Sequence, residues 1–155
     1  MADEDPALLA FRARALAQAH PLSAAAHRLV SKRMAEEART QPRPELGTWA
    51  GAALTQGYCL RRVQEDGVPV VTTVTDDEAL ERAATAHAAS LRTSAGNDST
   101  VAALDRLVGS QVEYRLGPWR DELDDDAWAE LEQYLTWWVV KGYGLRLAET
   151  VGLAP

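Results

Sequence analysis

Only one of the 155 residues is cysteine, Cys59, so no disulfide can close within the chain. Isoleucine is absent and phenylalanine occurs once, at Phe11. Leu, Val and Ala must therefore build the core, with five Trp supplying bulk. Lysine is almost missing: fourteen of the sixteen basic residues are Arg, leaving Lys32 and Lys141. That bias fits a G+C-rich genome better than a function. No apolar run reaches the ~20 residues needed to cross a bilayer. The most apolar stretch, Leu135 to Val140, stops at Lys141. Met1-Ala2-Asp3-Glu4-Asp5 has neither the positive start nor the apolar run of a secretory signal. With the lone thiol, this makes the cytoplasm the expected location.

Positive charge is also scarce. The net charge is −7, and an acidic chain repels phosphate, which argues against a general nucleic-acid binder. Arg28, Lys32, Arg33, Arg39 and Arg43 gather in one region, but Glu36 and Glu37 interrupt them. Residues 1–75 carry nine bases and eight acids (+1), whereas residues 76–155 carry seven and fifteen (−8). The simplest consequence is that the halves pack with complementary fields.

Motifs of chemistry are missing as well. There is no His-x-x-x-His, Glu-x-x-His or Cys-x-x-Cys spacing, no phosphate-cradling glycine loop and no nucleophile elbow. Neither a metal nor a cofactor is expected. The acids Asp121, Glu122, Asp124, Asp125 and Asp126 lack the spacing of a Ca²⁺ loop and read as helix capping. His87, on an apolar stripe, reads as a core histidine, and Cys59 as a small buried thiol.

What is present is helical patterning. Asp5-Pro6 opens a helix over about 6–19, with Leu8, Phe11 and Ala15 on one face and Leu9 and Leu16 beside them. His20-Pro21 breaks it. A second helix, about 22–40, carries Leu22, Ala26, Leu29, Val30 and Met34, and a third runs from Glu45 to Glu65. Val68 to Thr75 is β-branched almost throughout. It reads as an extended linker or, alternatively, as one strand of a ribbon with Gln111 to Leu116. A fourth helix follows Asp76, a fifth opens at Asp98 or Ser99, and a sixth follows Asp124. The sixth is apolar over so much of its girth that it must be central or shared with another subunit. The fold class is therefore all-α, a single helical domain with a bundle of about six helices.

The third and sixth helices match at an offset of 85: Leu54 with Val139, Gly57-Tyr58 with Gly142-Tyr143, Leu60-Arg61 with Leu145-Arg146. The second and fifth match at an offset of 78, Arg28-Leu29-Val30 with Arg106-Leu107-Val108. An internal repeat of two three-helix units, 6–66 and 76–152, follows as an expectation. Glycine inside a helix costs about 1 kcal/mol relative to alanine. Gly57 and Gly142 are therefore expected where two helices touch backbones, with Arg61 and Arg146 reaching acids at the rim.

Two functions fit this sequence. One is a non-enzymatic binding or protein-interaction module acting as a homo-oligomer, motivated by Trp and Tyr on helices. The other is a small helical enzyme or ligand-binding protein with a pocket between the units. Trp49, Tyr58, Arg61, Trp138, Tyr143 and Arg146 would line that pocket and take a small anionic or aromatic ligand.

Overall fold

The computed structural model describes residues 5–19, 22–65, 76–93 and 98–151. They form α1 (Pro6–Ala17), α2 (Ala24–Thr40), α3 (Glu45–Gln64), α4 (Asp77–Thr93), α5 (Asp98–Leu116), a 3₁₀ turn (Gly117–Trp119) and α6 (Asp125–Thr150). The protein is an all-α bundle of six helices, with no strand among the described residues. Val68 to Thr75 and the His20-Pro21 break lie outside those residues.

Short polar side chains start the helices by accepting bonds from otherwise unpaired amides. Asp5 accepts from the Ala7 N–H at 3.0 Å, Ser23 from Ala26 at 3.0 Å and Asp124 from Ala127 at 2.7 Å. Because Ser23 is the cap, α2 begins at Ala24, later than the proline break implies.

Two expectations fail. Gln111 to Leu116 is not a strand but the last part of α5. Val108, Val112 and Leu116 are all buried at four-residue steps, and that helical stripe overrides the local alternation. On α1 the buried face is Leu9, Ala10 and Ala13, whereas Leu8 and Phe11 stand out at 51% and 61% exposure. α1 lies against α3 and α5, and its alanines allow the close approach.

α3 and α6 share the most extensive contact in the molecule, with α1 and α2 packed on α3 and α4 and α5 on α6. From Leu135 onward α6 is buried on almost every side. The crossing is backbone against backbone. A methyl group at Gly57 would strike the Val139 carbonyl oxygen and lie 2.9 Å from the Tyr143 nitrogen. One at Gly142 would strike the Leu54 carbonyl oxygen and lie 2.9 Å from its Cα. Leu54 and Val139 are themselves 85 residues apart, as are the glycines, so each contact is the mirror of the other. Two residues on, facing a different side of α6, Gly144 meets the backbone of Ala84 and Ala88 on α4.

Bases of α2 meet acids of α4 across the molecule. Arg28 grips Asp77 with two bonds of 3.0 Å, and Arg33 Nε lies 3.5 Å from Glu81.

Candidate functional site

Beside the glycine crossing, α3 and α6 carry polar groups into the core. Arg146 of α6 is nearly buried, with 7% of its side chain exposed. Its Nε and Nη2 donate to the two oxygens of Glu65, at 2.7 and 2.8 Å, the two-pronged pairing that suits guanidinium and carboxylate. Its Nη1 donates to the Tyr58 hydroxyl oxygen at 2.9 Å and to Glu149 at 3.1 Å. Tyr58 in turn donates to Glu149 Oε1 at 2.5 Å, and the Ser23 hydroxyl donates to Glu149 Oε2 at 2.5 Å. One buried cation thus faces the buried Glu149 and the partly buried Glu65, and two hydroxyls satisfy the excess negative charge.

Burial pulls the Arg146 pKa down, but Glu65, Tyr58 and Glu149 together outweigh it and hold the guanidinium charged. Burial, then the hydrogen bond and charge of Glu149, push the Tyr58 phenol above its ordinary value. All three donors on the Glu149 carboxylate are supplied from within the fold, and Tyr58 is a reluctant acid. The arrangement locks α2, α3 and α6 together more readily than it moves protons.

A second cluster involves residues at the offset of 85 from the first. Tyr143 donates to Gln64 Oε1 at 2.5 Å, and Gln64 Nε2 donates to Thr100 at 2.8 Å. Tyr143 and Gln64 are the counterparts of Tyr58 and Glu149 at the offset of 85. This cluster is neutral where the first is ionic. Arg61, counterpart of Arg146, has a buried Nε without an acceptor among the described residues.

Of the six residues expected around a pocket, Tyr58 and Arg146 are in direct contact. Tyr143 belongs to the neutral cluster. Trp49 and Trp138 are core residues. Trp138 meets Tyr134 edge-on at 6.1 Å, with the Lys141 ammonium 5.2 Å from its ring centre. Among the described residues Arg61 reaches no acid, and Arg146 finds its acids inside the fold and not at a rim. The six line none of three open clefts: one of about 720 Å³ between α1, α2 and α3, one of about 650 Å³ between α1 and α5, and one of about 240 Å³ between α2 and α4.

Sequence reasoning missed Ser23, Glu65, Glu149 and Lys141. Lys141 is buried, its ammonium 2.5 Å from Glu81 on α4. The usable signal was charge on an apolar helix: Lys141, Arg146 and Glu149 all fall where α6 is otherwise hydrophobic. Cys59 is buried, and burial raises its thiol pKa to about 12, too high for a nucleophile near neutrality. The described residues hold no group of three or more His, Cys, Asp or Glu that could bind a metal ion, and no helix among them is long and apolar enough to cross a membrane.

Comparison with models of protein families, with curated proteins and with solved structures finds no match to this chain.

Proposed function

We propose that this chain is a non-enzymatic interaction protein that works as a homo-oligomer in the cytoplasm, built from two related three-helix units. The observation that carries this reading is where the side chains point. The groups best suited to chemistry, Arg146, Glu65, Glu149 and Tyr58, bind one another inside the fold. Bulky apolar side chains face outward instead: Leu8 and Phe11 on α1, and Tyr114 on neighbouring α5 at 72% exposure. Phe11 lines the cleft of α1, α2 and α3, and Tyr114 lines the cleft of α1 and α5. Large apolar side chains exposed beside open clefts suit a protein contact. Sedimentation velocity over a wide concentration range tests the reading. It predicts a concentration-dependent shift to a larger species, and a strict monomer throughout refutes it.

A second function, binding of a small anionic or aromatic ligand, draws on Arg61. A guanidinium nitrogen buried without an acceptor favours an incoming carboxylate. A thermal-shift screen with carboxylates and aromatic acids tests it, since a ligand bound only by the folded state raises the melting temperature.

A further inference from the structure

Five of the six glycines inside α-helices sit against another helix. Gly47 and Gly51 meet Met34 of α2, Gly57 and Gly142 mark the central crossing, and Gly144 rests on α4. Gly109, in the middle of α5, is the exception: a methyl group there would meet nothing within 4 Å. Glycine weakens a helix, and in this fold the other five allow close approach in return. Gly109 allows none within one chain.

Its surroundings show what would approach. Arg106 and Glu113, three residues before it and four after, share the exposed face of α5 with it, and Ser110 is half-buried beside it. Arg106, Gly109, Ser110, Glu113 and Tyr114 line the cleft of about 650 Å³. The charges are ordered symmetrically about the Gly109–Ser110 midpoint. Arg106 and Glu113 are equally far from it on opposite sides. Neither of these charged groups is firmly held at home. Glu113 has only an exposed contact of 3.6 Å with Arg120, and no bond of Arg106 is found among the described residues.

We infer that α5 is the seam of a two-fold homodimer in which two α5 helices pack antiparallel and cross at Gly109. The interface presupposes the homo-oligomer proposed above and specifies its geometry. In an antiparallel pair centred there, Arg106 faces Glu113 of the second copy, twice by symmetry. A face with both signs in this order complements itself, so the occupant is a second copy of this chain. The bare backbone at Gly109 gives the new crossing the same close approach that Gly57 and Gly142 give the internal one.

Sedimentation equilibrium of the full chain and four variants decides the matter, with circular dichroism and thermal melting confirming the fold of each. R106E and E113R each set like charges face to face and should weaken dimerisation about ten-fold or more. The double variant R106E/E113R restores opposite charges and should recover it. G109L should abolish the dimer while leaving the monomer folded, because the space around Gly109 is empty within one chain. A dimer indifferent to all four variants overturns this interface while leaving the oligomer intact. A wild-type chain that stays monomeric at every concentration overturns both. Failure of the double variant to regain affinity refutes the antiparallel register.

Discussion

Replacing Gly142 by alanine adds one methyl group at the tightest point of the fold. That methyl would lie 2.8 Å from the Leu54 carbonyl carbon and 2.9 Å from its Cα, with the carbonyl oxygen nearer still. All three obstacles are backbone, so no side-chain rotation relieves them and the helices must separate. Overpacking of this kind costs about 3 kcal/mol, the upper end of the usual range. Alanine's better helix propensity returns about 1 kcal/mol, leaving a net loss of about 2 kcal/mol. With a urea slope of about 2 kcal/mol per M, the unfolding midpoint should fall by about 1 M. Gly57→Ala should behave alike, because its methyl meets Val139 and Tyr143 in the mirrored contact. The double variant should lose less than the sum, since one widening of the α3–α6 crossing accommodates both methyls. A Gly142→Ala midpoint at or above wild type refutes the close contact. Strict additivity refutes a single shared crossing.

The remaining predictions concern the buried polar groups. Arg146→Met strands Glu65 and Glu149 in the core and should cost about 3–5 kcal/mol in urea unfolding, whereas Arg61→Met removes an unsatisfied nitrogen and should stay within about 1 kcal/mol. Cys59 should resist thiol reagents at neutral pH in the native protein and react only as fast as the chain unfolds; rapid labelling of the folded state contradicts its burial. Burial and Glu149 raise the Tyr58 pKa above the unfolded value of about 10, so the stability it contributes is complete below that pH and is lost as pH rises further. In alkaline titration the wild type should therefore lose stability more steeply above that point than Tyr58→Phe does, and identical slopes refute the linkage.

The legible features of this fold are those written in local chemistry. Asp5-Pro6, Asp76 and Asp124 announce helix starts because capping depends on neighbours in sequence. The glycine crossing was legible because two helix-interior glycines, each followed by Tyr-x-Leu-Arg, break propensity in the same way twice. The central position of α6 followed from its girth of apolar residues. Features set by tertiary packing were not legible. The α1 stripe containing Leu8 and Phe11 is as hydrophobic as the one that is buried, and only the fit of Ala10 and Ala13 against α3 and α5 decides between them. Gln111 to Leu116 alternates like a strand over six residues, and only its continuity with Val108 makes it helical. The partners of Arg146 come from α3, from its C-cap Glu65 and from α6, and Ser23 joins them only through Glu149, so no spacing in the chain discloses the set.

The central claim is that two counterpart helices touch backbone to backbone through bare glycines. Nuclear Overhauser spectroscopy of the assigned protein reads this contact directly. The structure predicts a cross-peak between the Hα protons of Gly142 and the Hα of Leu54, and a second between Gly57 Hα and the Tyr143 amide proton. If both resonances of each pair are assigned and resolved and neither cross-peak appears, the two helices do not meet there and the paired architecture is wrong.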